Sequence, residues 1–234
     1  MSGSMISVNS SDGGQFDAYM VAPESGSGPG IVLIQEIFGI NSFLRETAQD
    51  FANKGFVAVV PDLFWRFEPG IVLGYHDEDF AKAFDYYGRF DVDNGINDIA
   101  ATIAAVRQLP QCSTGKVGAL GYCLGGYLAY LTAARTDVDC AISYYGVSIE
   151  NSLDEADKIN CPMIMHFGGA DGFVPPEAVE QISEKFKGCE AIEIYSYPGL
   201  DHAFATPGRE SYDEASANTA NSRSLALLQK VLGP

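Results

Sequence analysis

Positive charge is what this chain has least of. Its 234 residues carry 14 Lys and Arg against 31 Asp and Glu, a formal net charge of −17. A surface that negative repels nucleic-acid phosphates and anionic lipid, so neither is an expected partner. No apolar run approaches the roughly 18 residues of a membrane span. The opening Met1-Ser-Gly-Ser-Met5 has neither the basic stretch nor the apolar stretch of a signal peptide, so a soluble, cytoplasmic protein is expected. Cysteines number five, at Cys112, Cys123, Cys140, Cys161 and Cys189, with no CxxC pair. An odd, widely spaced set argues against a disulfide framework and against a zinc site, so no metal is expected. Histidines are scarcer still: His76, His166 and His202 are the three candidates for a general base.

Repeats, low-complexity tracts and long linkers are also absent. Glu24-Ser-Gly-Ser-Gly-Pro-Gly30 has loop composition, but it leads straight into an apolar run and reads as a surface turn. The length and the 47% hydrophobic content suit a single α/β domain over residues 1–234, expected to be a monomer. Short apolar runs predict buried strands at Gly30–Ile34, Phe56–Val60, Lys116–Leu120, Cys140–Tyr144, Met163–Phe167 and Ile192–Ser196. Helical patterns lie between them at 42–54, 94–109, 124–135 and 176–187, with a long last helix over 211–232. Strands alternating with helices make a mostly parallel sheet covered by helices on both faces. Ile6–Val8 and Gln15–Tyr19 alternate instead, and predict an antiparallel edge hairpin.

Chemistry concentrates where the predicted strands end. Gly121-Tyr-Cys123-Leu-Gly125-Gly follows one strand and opens a helix, which is the glycine-flanked setting of a nucleophile elbow with Cys in place of Ser. The helix N-terminus behind Cys123 favours a thiolate. A lone cysteine is more often a small buried hydrophobe, and that is the other reading. His202 lies in the loop Pro198–Phe204 beyond a strand, where α/β sheets place their sites. A plain surface histidine would look the same. His166 lies inside a strand as a core residue, and His76 in a polar loop. Asp171, in Gly168-Gly-Ala-Asp-Gly-Phe173, follows another strand, although a turn aspartate bonding its own backbone would also fit. Cys123, Asp171 and His202 keep the chain order nucleophile, acid, base of α/β-hydrolases. Glu36 ends a buried strand between apolar neighbours, where burial would raise its pKa; pairing with Arg45 is the alternative.

Gln35-Glu-Ile-Phe-Gly39, Arg45-Glu-Thr47, Pro61-Asp-Leu63, Gly118–Gly126, Tyr144-Tyr-Gly146, Gly169-Ala-Asp171 and His202-Ala-Phe204 together resemble the dienelactone hydrolase (carboxymethylenebutenolidase) family over nearly the whole chain. The resemblance implies an eight-stranded α/β-hydrolase fold and a carboxylic ester hydrolase of the kind used in aromatic-compound degradation. It implies Cys123 as nucleophile, His202 as base, Asp171 as its orienter and Glu36 as acceptor of the thiol proton. Ile37 and Leu124 match the backbone donors of an oxyanion hole, and Phe38, Tyr144 and Phe173 match pocket-lining positions. No cofactor is implied. The partner is a small lactone or ester, opened through an acyl-thioester; a thioesterase or acyl transferase, or a binding protein without turnover, are the alternatives.

One departure stands out. The family holds its substrate's carboxylate with two arginines, and neither matching position has one: the first falls in Asp79-Phe-Ala-Lys82 and the second is Thr206. Lys82 and Arg209 are the nearby cations that could substitute, though a lysine or a displaced arginine is not equivalent to a bidentate fork. A neutral lactone or ester is therefore expected to suit the site better than an anion.

Overall fold

A computed structural model describes residues 3–233; Met1, Ser2 and Pro234 lie outside it, and with them the first part of the segment read above for a leader. The chain opens with two alternating strands, Ser4–Asn9 (β1) and Gln15–Val21 (β2), paired antiparallel. Gly28–Ile34 (β3) is buried along its full length, as a strand covered on both faces must be. Helix Ser42–Asn53 (α1) starts where the Asn41 side chain accepts the Leu44 N–H at 3.2 Å. Val57–Pro61 (β4) is again wholly buried.

A helix at Asp77–Arg89 (α2) comes next, followed by Val92–Gln108 (α3), capped by the Asp91 side chain. Cys112–Tyr122 (β5) leads into Leu124–Arg135 (α4). Cys140–Tyr144 (β6), a 3₁₀ segment over Ile149–Lys158, Met163–Gly168 (β7) and Pro176–Lys185 (α5) follow. Ile192–Tyr197 (β8) and Glu214–Leu232 (α6) complete the chain.

The strands form one eight-stranded sheet in the order β1-β2-β4-β3-β5-β6-β7-β8. Only the β1–β2 and β2–β4 pairings are antiparallel, as the alternating edge pattern predicts. One core packs α3, α4 and α5 against the sheet; Ile96, Ile99, Ile103 and Val106 form the α3 stripe in it. The opposite core takes α1 and α6, through residues such as Leu44, Phe51, Ala220 and Leu228. The fold is thus α/β with helices on both faces. Among the described residues no helix is long and apolar enough to cross a membrane.

The helical stretches read from the sequence leave out α2, although Phe80, Ala83, Phe84 and Tyr87 recur in it at helical spacing. Of its thirteen residues only Ala83 is fully buried, so its apolar stripe is covered only in part. Its apolar side chains Phe80, Phe84 and Tyr87 line a pocket instead.

Candidate active site

The turn between β5 and α4 is built around one strained residue. Cys123 has φ 56° and ψ −117°, a backbone conformation a side-chain-bearing residue seldom adopts. Its neighbours allow it because they have no Cβ. A Cβ on Gly121 would fall 1.9 Å from the Gly125 carbonyl oxygen, and one on Gly125 would fall 2.4 Å from that of Ile34. The Cys123 N–H bonds to the Tyr144 carbonyl at 3.0 Å, which fixes the turn to β6. The thiol is left partly exposed at the N-terminus of α4, among first-turn N–H groups that the helix itself cannot satisfy.

The β7 and β8 ends bring in the other two residues. Asp171 is 2% exposed, and its Oδ1 accepts the N–H groups of Phe173 and Val174 at 2.7 and 3.1 Å. That is the local turn bonding the sequence allows for. It leaves Oδ2 free to meet His202 Nδ1 at 2.8 Å, so Asp171 does both. His202 is buried, flanked by the Tyr145 ring at 5.0 Å and the Phe173 ring at 4.9 Å, and it shares a pocket with Cys123. Burial by itself would lower the His202 pKa. The Asp171 carboxylate and the Cys123 sulfur outweigh it and push the imidazole up to about 10.

Glu36 stands on the far wall of the same pocket, just beyond β3, at 2% exposure. Tyr75 donates its hydroxyl to Oε2 at 3.1 Å, while Oε1 has no hydrogen-bond donor among the described residues. Burial raises the Glu36 pKa, and the Arg209 guanidinium is the strongest opposing influence. The cation beside Glu36 is therefore Arg209, with Nη1 3.8 Å from Oε1, and not Arg45. Arg45 instead bonds the Ile40 carbonyl and stacks over Tyr19. Arg209 reaches in from one turn beyond Thr206, its own N–H bonded to the Thr206 carbonyl at 3.2 Å.

The pocket spans about 600 Å³, counting the open space at its mouth. Ile37, Phe38, Phe173 and Arg209 line it. Leu124, the first residue of α4, stands beside Cys123 with a backbone N–H that has no partner inside its helix. Two expected pocket residues lie elsewhere. Lys82 is exposed on α2 and outside the lining, because the helix turns Phe80 and Phe84 inward in its place. Tyr144 is fully buried in the other core, its hydroxyl bonded to Asn221 and Ser224 at 2.8 Å each. Its sequence neighbour Tyr145 is the one that meets His202.

Phe80, Phe84, Tyr87, Val147 and Ser148 complete the lining, and nothing in their spacing marks them as pocket residues. His76 is an exposed residue at the start of α2, and His166 is a buried residue of β7, both apart from the pocket. Among the described residues no group of three His, Cys, Asp or Glu side chains is placed to hold a metal ion.

Comparison with known proteins points the same way. The dienelactone hydrolase family model matches residues 16–232. A carboxymethylenebutenolidase of Pseudomonas putida is 40% identical over 224 residues, covering 95% of this chain and 94% of the relative. Another, from Cupriavidus pinatubonensis, is 38% identical over 230 residues, covering 98% and 97%. A crystal structure from Klebsiella pneumoniae, of a protein provisionally named a dienelactone hydrolase, superposes with a TM-score of 0.84 at 26% identity, over 97% of this chain and 98% of that one. With a fold, a pocket and a whole-length sequence match in agreement, this chain belongs to the dienelactone hydrolase family.

Proposed function

We propose that this ester- or lactone-bond hydrolase works by covalent catalysis through Cys123, with His202 and Asp171 completing a triad. The observation that supports it best is the conjunction of the strained Cys123 turn with an Asp171–His202 pair, at 2.8 Å, in the same pocket. With its pKa raised to about 10, His202 keeps its proton in the resting protein, and the imidazolium can balance the negative charge that appears on Cys123 once the thiol proton has gone to Glu36.

The thiolate attacks the carbonyl carbon and forms the S–C bond. The N–H groups of Ile37 and Leu124 receive the oxyanion. As the tetrahedral intermediate collapses, the C–O bond breaks and the leaving oxygen takes the proton from His202; in a lactone that oxygen stays tethered to the acyl group. Acylation consumes the thiolate, which was one of the charges holding the His202 pKa up. The imidazole is then free to act as a base, taking a proton from water as the water attacks the thioester. Collapse regenerates the thiolate and releases the acid. Glu36, with its pKa raised by burial, is the group that takes the thiol proton when a substrate enters, which frees the attacking thiolate, and it returns that proton after the thiolate is regenerated.

Stoichiometric alkylation by iodoacetamide should abolish activity, with the adduct found by mass spectrometry on Cys123 and not on the exposed Cys189. Cys123→Ala should be inactive. Undiminished ester hydrolysis by Cys123→Ala would refute the proposal.

A further inference from the structure

Large apolar side chains exposed to water are few among the described residues, and two of them, Phe84 at 45% and Phe173 at 58% exposure, line the one pocket that holds Cys123 and His202. Single exposed apolar residues are ordinary, but two rings converging on a concave catalytic pocket are a binding surface waiting to be covered. Neither ring hangs loose. Phe84 continues a wall of rings, 6.3 Å from Phe80, which in turn lies 5.1 Å from Phe38 beside Glu36. Phe173 is presented by the turn that Asp171 pins, and its ring rests on His202.

The charges in the pocket complement this wall. Arg209 brings the guanidinium, but that group is already engaged by Glu36 and faced by the Phe38, Tyr75 and Phe80 rings at 5.6, 4.9 and 5.2 Å. Lys82 points elsewhere, so the described lining contains no unpaired cation to meet a second carboxylate. At a distance, the net charge of −17 repels anions.

We propose that the substrate is an uncharged ester or lactone with apolar groups on both sides of the scissile bond, the alcohol part covering Phe173 and the acyl part covering Phe84. Phe173 takes the alcohol side because it lies against His202, the group that protonates the leaving oxygen. The inference rests on the cysteine-hydrolase reading above and adds the substrate class to it.

Three matched pairs of rates test it. Phenyl butanoate and phenyl hemisuccinate have the same acyl carbon count and differ in a terminal methyl or carboxylate. The wild type should prefer the butanoate by at least about tenfold in kcat/KM. Phe84→Ala should lower the ratio of phenyl hexanoate to phenyl acetate hydrolysis about tenfold, and Phe173→Ala should do the same to the ratio of benzyl to methyl butanoate. Both rings are about half exposed, so the variants should fold as the wild type does, which circular dichroism checks. A preference for the hemisuccinate, or either ratio unchanged within about twofold, overturns the inference. Run alongside, Cys123→Ala separates the two levels. If it hydrolyses these esters as the wild type does, the covalent reading fails and the inference with it; if it is inactive and the ratios go the wrong way, only the substrate class is wrong.

Discussion

Two buried histidines, one strand apart in the fold, show how a neighbour decides what an imidazole becomes. His202 and His166 are both below one-tenth exposed, and both are enclosed by aromatic rings. His202 faces a carboxylate and a sulfur, and its pKa goes up to about 10. His166 faces hydroxyls. Its Nδ1 meets the Tyr197 hydroxyl at 3.0 Å and its Nε2 meets Ser224 at 3.0 Å. Because Arg223 donates to the same Tyr197 oxygen, Tyr197 can give its own proton to His166 Nδ1. Every partner then suits the neutral ring. Burial, with a further push from Arg223, drives the His166 pKa down to about 3. Burial is common to both, so the charge of the partner holds a proton on one ring and keeps it off the other.

The comparison breaks most directly at Asp171. Asp171→Asn keeps the shape and removes the charge, which puts His202 in the situation of His166. Its pKa should fall from about 10 toward or below the ordinary value near 6.5. On the proposed mechanism activity should fall on the order of 10³-fold, since His202 would lose both its orienter and its preferred tautomer. NMR titration of the three histidines and kcat/KM measure the two effects. A His202 that still titrates near its wild-type value would show that Asp171 does not set it.

A second consequence concerns stability, where the two rings act in opposite directions. His202 has a raised pKa, so its contribution is fully present below the unfolded value near 6.5 and is lost as pH rises toward 10. His166 has a lowered pKa, so its contribution is intact above 6.5 and is lost as pH falls toward 3. At pH 5 the His166 loss is about 2 kcal/mol. That corresponds to a drop in Tm of about 6 °C. His166→Gln should be less stable than the wild type at pH 8 but show a flatter acid limb. An acid limb of wild-type steepness in His166→Gln would assign it to the carboxylates instead.

Much of this contrast is legible in the amino-acid sequence, and the part that is not has a physical cause. The strand runs and the chain order Cys123, Asp171, His202 are local signals, and the three residues stand just beyond the ends of β5, β7 and β8. His166 reads as core because it sits inside an apolar strand. What stays hidden is how side chains outside the strands are shared out. Helix α2 carries Phe80, Phe84 and Tyr87 at helical spacing, but that spacing does not tell a ring that lines a pocket from one that packs in a core. Tyr75, in the loop before it, reaches Glu36 across 39 positions of chain, a contact no periodicity encodes. Arg209 rather than Arg45 meets Glu36 because the turn after Thr206 swings it inward, while Arg45 lies over Tyr19.

The smallest expected effect is also the finest division between the two histidines. Tyr144 and Tyr145 are adjacent in sequence, and each serves one of them. The Tyr144 ring lies 4.6 Å from His166, and the Tyr145 ring lies 5.0 Å from His202, its hydroxyl 2.6 Å from Thr206 Oγ1. Removing either hydroxyl should cost about 1 kcal/mol of stability, the net worth of a buried hydrogen bond. Only one loss should reach the chemistry. Tyr145→Phe frees the ring that backs His202, and kcat/KM should fall severalfold, by no more than about tenfold. Tyr144→Phe loosens the contacts to Asn221 and Ser224 and should leave kcat/KM alone, because the hydrogen bond Tyr144 makes with Cys123 comes from its backbone carbonyl, which the substitution keeps. Paired melting and rate measurements on the two variants decide the matter. If Tyr144→Phe lowers kcat/KM as much as Tyr145→Phe does, the two histidine environments are coupled through this dipeptide, and the division drawn between a catalytic ring and a core ring does not hold.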